Sequence, residues 1–267
     1  MKIGVKIVVP ILFLIQSLWG LKIEPFPKSG NLVDIFNTNC LQMTQSQQLL
    51  KAYIMKGLGS SFGNPSESLK IAIPAYEKRA VKIADYFKSR LQEPSAKKAF
   101  DDAFTLWRES RKLLEEKPTP ENALVIKENF SRMIPLLLKG SGPIAKKTDG
   151  LELLSLTGML CRGPMQISID YLLKIWGADM PGYEEEMTKI IKDFHTHLET
   201  LKANRLNDEK SLKLLRDASN GFRYFEMMYN AKSTFVPSLL SHKADQNFQI
   251  IREIKSIYRQ KVEAEKK

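Results

Sequence analysis

The sequence predicts an all-α protein made of two tandem units that each resemble a four-helix bundle, or of one elongated bundle that both units build. Three observations carry this prediction. From residue 30 onward, apolar residues recur every three or four positions, which is the spacing of one face of an α-helix. No strand-like alternation of useful length interrupts that spacing. A segment near residue 40 also returns near residue 158, and so long a period indicates duplication of a unit of domain size.

The repeat is clearest where each copy of the segment ends. The first copy closes with Tyr-Ile-Met-Lys-Gly-Leu-Gly at residues 53–59, and the second closes with Tyr-Leu-Leu-Lys-Ile-Trp-Gly at residues 171–177. The offset between them is 118 (171 − 53 = 177 − 59 = 118). We therefore place the first helical unit at residues 31–145 and the second at residues 150–262.

Four helices are predicted in the first unit, of which the first holds the polar segment that leads to residues 53–59. The second starts at Asn64-Pro65-Ser66, because asparagine and serine cap helices and proline fits a first turn. The third starts at Pro94, and a Pro-Thr-Pro-Glu segment at 118–121 separates it from the fourth. Gly140-Ser141-Gly142-Pro143 is expected to end the fourth helix. The second helix has the clearest apolar stripe, made of Leu69, Ile73, Tyr76, Ala80, Ile83 and Phe87.

The second unit repeats this order. Its first helix passes through Trp176, although Gly163-Pro164 is expected to disturb it, because an interior proline removes a backbone hydrogen bond. Pro181 introduces the second helix and Asn207-Asp208 caps the third. The last helix frays into a charged tail after Lys261.

Residues 1–20 have the form of a secretory signal peptide. Lys2 and Lys6 precede or border an apolar stretch from Ile7 to Trp19, and Gly20 is a candidate cleavage residue. The stretch is short for a membrane-spanning helix and contains a proline and a glutamine. We expect cleavage and a periplasmic or secreted protein, with an uncleaved anchor as the alternative.

The positive charge of the chain does not point to a nucleic-acid partner. The formal net charge is +11, from 41 basic and 30 acidic residues, but carboxylates are interleaved with the basic residues, as at Glu184-Glu185-Glu186. Nucleic-acid-binding proteins usually concentrate their basic residues on one face or arm. We therefore expect no nucleic-acid binding.

The first helix of the first unit is unusually polar. Gln42, Gln45 and Gln48 follow one another at three-residue steps, among further polar residues at 37, 39, 44, 46 and 47. Such a stripe suits a face exposed to solvent, which the pattern alone favours, or a buried polar seam between two helices. Because buried amides need hydrogen-bond partners, a seam would be a natural place for a polar ligand or for waters.

The segment from Asn37 to Tyr53 reads Asn-Thr-Asn-Cys-Leu-Gln-Met-Thr-Gln-Ser-Gln-Gln-Leu-Leu-Lys-Ala-Tyr. It resembles the signature helix of the PilJ-type domain, the N-terminal sensor domain of type IV pili methyl-accepting chemotaxis transducers, which is related to the input domain of nitrate/nitrite sensor kinases. That family's pattern is Asn-Leu-Ala-Gly-Arg-Gln-Arg-Met-Leu-Ser-Gln-Arg-Met-Ala-Lys with an aromatic and aliphatic close. In the second copy, Leu-Ser-Leu-Thr-Gly at 154–158 is similar to the opening and residues 171–177 to the close. The matching positions of the first copy are Asn37, Gln42, Ser46, Gln47, Lys51 and Tyr53.

The resemblance implies a helical sensor unit in each half, but both copies depart from the pattern at its arginines. Nitrate-sensing members hold the anion with an arginine of this helix, whose forked donors suit a planar oxyanion. Neither copy has that arginine in register, so nitrate is not the expected ligand; Arg162 lies one position out of step. The residues that stand in place of the arginines are Leu41, Met43 and Gln48 in the first copy and Met159, Cys161 and Gln166 in the second. The candidate ligand-binding residues are Asn37, Gln42, Gln45, Ser46 and Arg162.

Other site chemistry is sparse. Cys40 and Cys161 lie in corresponding parts of the two copies, so in an oxidising compartment they either form a disulfide between the copies or remain two buried thiols. His195 and His197 are two residues apart on one helix and diverge, whereas a metal-binding face needs a four-residue step. With no phosphate loop and no nucleophile elbow, we expect no metal, no cofactor and no enzymatic activity.

Two functional hypotheses follow. The first is an exported, non-catalytic sensory or ligand-binding module without a signalling output of its own. It would take a small polar ligand or an anion and address a membrane-bound signalling or envelope partner. The second is a structural or interaction protein of the cell envelope, in which the same helices form an inter-copy seam or a homodimer.

Overall fold

The fold is all-helical, which confirms the predicted fold class. A computed structural model describes residues 21–231 and 236–264, so the signal-like residues 1–20 lie outside the described part of the chain. Within those ranges there are eight α-helices and no strand. They are α1 (Leu32–Gly57), α2 (Pro65–Arg90), α3 (Pro94–Glu115), α4 (Pro120–Ala145), α5 (Leu151–Ile175), α6 (Tyr183–Lys202), α7 (Glu209–Ala231) and α8 (Pro237–Ala264).

The ends of α1 and α5 are built alike, so the sequence repeat has the same structural meaning in both halves. The backbone N–H of Leu58 donates to Ile54 O at 2.9 Å, and that of Trp176 donates to Leu172 O at 2.9 Å. The glycine that follows adopts a positive φ in each case, 69° at residue 59 and 85° at residue 177. Only glycine takes this conformation readily, so the conserved spacing marks a helix C-cap.

Apolar stripes of the helices meet in one continuous hydrophobic core. All six residues of the stripe predicted for α2 are buried, and Phe87 stacks on Phe100 of α3 with ring centroids 5.5 Å apart. In the second half, Phe194 of α6 stacks on Phe222 of α7 at 3.6 Å. The helical periodicity therefore predicted the inward faces of these helices correctly.

The two halves join through their first helices. In each half the first helix packs on the second and fourth, and the halves meet through α1 against α5, with α1 against α8 and α4 against α5 on either side. Near the starts of α1 and α5, a Cβ added to Gly158 would lie 3.1 Å from the Cβ of Cys40. Near the ends of the same two helices, Gly57 contacts the ring of Trp176. The two helices therefore run parallel with equivalent positions facing each other, as in two units related by an approximate two-fold axis along them.

Two interior prolines behave differently from the prediction. The fourth helix does not end at Gly140–Pro143 but continues to Ala145, and α5 is unbroken through Pro164. Glycines beside these prolines admit aromatic rings: a Cβ at Gly140 would lie 2.6 Å from Phe100, and one at Gly163 would lie 2.8 Å from Phe194. Each proline removes one backbone hydrogen bond from its helix. The helix continues because the stabilisation from packing against the aromatic ring exceeds the loss of that hydrogen bond.

Among the ion pairs that cross the junction of the halves, two have the most deeply buried members. Lys51 Nζ of α1 lies 2.6 Å from Asp245 Oδ1 of α8, and Lys127 Nζ of α4 lies 2.7 Å from Asp170 Oδ1 of α5. Each pair links the first helix of one half to the fourth helix of the other. Lys127 and Asp245 are equivalent by the repeat (127 + 118 = 245), yet they carry opposite charges. At this fourth-helix position the repeat therefore keeps the place in the fold and exchanges the sign, whereas Lys51 and Asp170 are one position out of register (170 − 51 = 119).

Candidate functional site

The polar first helix is a buried seam and not a solvated face, so the interpretation favoured by its pattern is wrong. Twenty of the 26 residues of α1 are buried, because α1 is enclosed by α2, α4, α5 and α8. Nine of the buried residues are polar: Thr38, Asn39, Gln42, Thr44, Gln45, Ser46, Gln47, Gln48 and Lys51.

Several polar groups of this seam lack partners among the described residues. The side-chain oxygens of Gln42, Gln45 and Gln47 accept no hydrogen bond. Gln45 Nε2 does donate to Lys22 O at 3.1 Å, and Ser46 Oγ donates to Met43 O at 2.7 Å. The cavity beside Gln42 has a volume of only about 10 Å³, which is room for about one water. Beside Gln42 the seam therefore offers an unused acceptor but no space for an organic ligand.

The remaining predicted ligand residues lie elsewhere. Asn37 is half-buried near the start of α1, where its main-chain oxygen accepts from Lys255 Nζ at 3.2 Å. Arg162 lies on α5 beside Asp193 of α6, and burial lowers the pKa of its guanidinium to about 10. The charged neighbour of Arg162 is thus on α6, and not among the glutamines of α1. The structure does not gather the five predicted residues into one site.

Both cysteines are buried and free, so the disulfide is not formed in this structure. Burial raises the pKa of the Cys40 thiol and raises that of Cys161 to about 12. The Lys255 ammonium of α8 lies close enough to oppose both shifts. Of the two alternatives left open by the sequence, the described residues show the buried thiols.

A larger cavity lies at the edge of the seam, between α1, α8 and the loop from α1 to α2. Its volume is about 470 Å³, within the range of small-molecule sites. None of the five predicted ligand residues lines it, but Gln48 and Lys51 of the same helix do. The apolar part of the wall includes Ala52, Met55, Phe62, Pro65 and Phe248.

Charged groups occupy the polar part of this wall. The Lys51 side chain is 7% exposed; besides its pair with Asp245, its ammonium donates to Ser241 O at 3.3 Å. Arg252 of α8 also lines the cavity, and its guanidinium carbon lies 5.6 Å from the ring centroid of Phe248. Lys51 was one of the matched motif positions, so the sequence held a signal for this site. Its α8 partners are almost 200 residues away in the chain, and nothing in the sequence paired them.

An N-terminal strap, residues 21–27, runs across the edge of the cavity. Lys22 offers its carbonyl to Gln45, and Glu24 offers its carbonyl to Arg79 Nη1 at 3.1 Å. The Glu24 carboxylate forms an ion pair with Arg252. Leu21 and Lys22 line the cavity, so the strap forms part of its wall. These contacts tie the strap to α1, α2 and α8 at once.

Metal and membrane features are absent from the described ranges. Residues 21–231 and 236–264 contain no group of three or more metal-ligating side chains. His195 instead pairs with Glu226 of α7. Within the same ranges, no helix combines the length and hydrophobicity that crossing a bilayer requires.

No protein-family model, no curated protein and no solved structure matches the chain. The resemblance of α1 to the PilJ-type signature helix therefore stays a prediction.

Proposed function

We propose that this protein is a non-catalytic binding module that holds a small molecule in the cavity between α1 and α8. The observation that carries the proposal is the combination, in one cavity of about 470 Å³, of an apolar wall with a buried Lys51–Asp245 pair. Small-molecule sites are typically concave and largely apolar, with a few placed polar groups that orient the ligand. An exported sensory role, in the manner of PilJ-type domains, is part of this proposal.

A ligand that binds only the folded chain stabilises it by mass action, by about 2.7 kcal/mol at a hundredfold excess over Kd. We therefore expect at least one compound of a panel of small organic acids, alcohols and amines to raise the Tm of the purified full-length protein. Ala52→Met would place a long side chain into the cavity and abolish that rise. Ala203→Met, at an exposed position after α6, is the matched control and should preserve it.

Two results would overturn the proposal. One is a Tm that no compound changes. The other is a ligand-induced rise that is equal in Ala52→Met and in the parent protein, because the ligand would then bind elsewhere.

A second candidate function is structural, and the burial of α1 favours it. The helices with the signature pattern form the seam that joins the two halves, and such a seam needs no ligand to be useful. A panel without any effect on Tm would support this structural role.

A further inference from the structure

The wall of the α1–α8 cavity carries an excess of positive charge. Its lining includes three cationic side chains, Lys22, Lys51 and Arg252, and one carboxylate, Asp245. The formal charge of the lining is therefore +2 at neutral pH (3 − 1 = 2). A concave site lined mainly by one sign of charge attracts ligands of the opposite sign.

This excess is not spread evenly over the wall. Lys51 and Asp245 neutralise each other at 2.6 Å, which leaves Lys22 and Arg252 as the cations that no lining carboxylate balances. Arg252 is the better anchor for an anion, because a guanidinium binds a carboxylate through two parallel hydrogen bonds. Phe248 lies beneath the guanidinium, and Phe62 adds apolar surface to the wall of the same cavity.

Arg252 already forms an ion pair with a carboxylate of the protein itself. Glu24, which is not part of the lining, reaches the guanidinium from the strap. The side chains of Arg252 and Glu24 are 29% and 40% exposed, and ion pairs that are this open to water contribute little stability. Exchange of the Glu24 carboxylate for that of a ligand is therefore energetically inexpensive.

We propose that the cavity binds a small organic anion, an apolar body that bears a carboxylate, and that the ligand displaces Glu24 from Arg252. This inference rests on the proposed binding function and specifies its ligand class. The strap then acts as an internal competitor. Its carboxylate neutralises Arg252 in the empty protein and gives way when the ligand enters.

The test uses three probes with the same apolar body and different head groups: 3-phenylpropanoate, 3-phenylpropanol and 3-phenylpropylamine. Calorimetric titration of the full-length protein should give the tightest Kd for the carboxylate and the weakest for the amine. Raising the salt concentration should weaken carboxylate binding and leave alcohol binding nearly unchanged, because salt screens exposed charges.

Variants of the ion pair test the displacement. Glu24→Gln removes the competitor and should tighten carboxylate binding by about threefold, in keeping with the weakness of exposed ion pairs. Arg252→Gln should weaken carboxylate binding by about tenfold or more and leave alcohol binding in place. The matched control is Arg259→Gln, which removes the same charge from a position two turns further along α8. Arg259 pairs with Asp34 at 2.7 Å and does not line the cavity.

The outcomes separate the two proposals. Binding of the alcohol or the amine at least as tight as that of the carboxylate would overturn the organic-anion inference and leave the binding function standing. Equal effects of Arg252→Gln and Arg259→Gln would overturn the role of Arg252. If none of the probes binds and the wider panel also leaves Tm unchanged, the binding function itself fails.

Discussion

Replacing Asp170 with asparagine should flatten the pH dependence of the protein's stability between about pH 5 and pH 7. Asp170 is fully buried where α5 meets α4 and α6. Burial raises the pKa of its carboxyl from 3.8 to about 7; the nearby Lys127 ammonium lowers it and the Glu186 carboxylate raises it further. Tyr183 of α6 also lies close to the carboxyl.

The sign and size of the effect follow from this shift. Between pH 3.8 and 7 the folded chain keeps a proton on Asp170 that the unfolded chain has released, so the free energy of unfolding falls as pH rises. The slope approaches about 1.4 kcal/mol per pH unit, which gives a loss of roughly 2 to 3 kcal/mol from pH 5 to pH 7. Lys127 does not cancel this loss, because its pKa is raised above 10.5 and its contribution declines only in more alkaline solution.

The assay is urea unfolding followed by circular dichroism at pH 5, 6, 7 and 8. The asparagine side chain cannot titrate. The free energy of unfolding of Asp170→Asn should therefore fall less between pH 5 and pH 7 than that of the parent, by roughly 2 to 3 kcal/mol. Asp179→Asn, which removes an exposed carboxylate, should run parallel to the parent. A parallel curve for Asp170→Asn would refute the reasoning, because the buried carboxyl would then titrate alike in both states.

Three further predictions concern the junction of the halves. Gly57→Ala would set its methyl 2.0 Å from the Trp176 ring and should lower the free energy of unfolding by about 1–3 kcal/mol. Gly142→Ala, whose methyl would meet no atom within 4 Å apart from the neighbouring backbone of its own helix, should raise that free energy by up to about 1 kcal/mol. Similar urea midpoints for the two variants would contradict this. Lys51→Glu should lower the free energy of unfolding by about 3–5 kcal/mol, and the second substitution Asp245→Lys should restore most of that loss. If the two losses are purely additive in a double-mutant cycle, the pair is not coupled. Titration with a thiol reagent should find two reactive cysteines in the unfolded, unreduced protein and none that react rapidly in the folded one; a value below two after unfolding would indicate a disulfide.

The helices and their inward faces could be predicted from the sequence because they depend on local spacing. The stripe of α2 from Leu69 to Phe87 needed only the helical periodicity. The solvent exposure expected for α1 was wrong, because amide content is a local property and enclosure by four neighbouring helices is not. The expected helix end at Gly140–Pro143 was wrong for the same reason: Phe100 packs against this segment from a different helix.

Apart from Lys51, which matched the signature pattern, the lining of the cavity could not be predicted from the sequence. Its polar wall combines Gln48 and Lys51 of α1 with Asp245 and Arg252 of α8, which the fold brings together from distant parts of the chain. In the sequence, Asp245 and Arg252 look like ordinary surface charges of an amphipathic helix. Only the nearly complete burial of Lys51 reveals that this cation requires an acidic partner.

The exchanged charges of Lys127 and Asp245 have a consequence for the history of the gene. If recombination replaced the second half with a copy of the first, Lys51 would face another lysine at the position of Asp245, and the reverse replacement would set Asp170 against an aspartate. Like charges this close and shielded from water repel strongly. The two copies are therefore no longer interchangeable. Replacing either half with a copy of the other would place two like charges against each other at the contact between the halves.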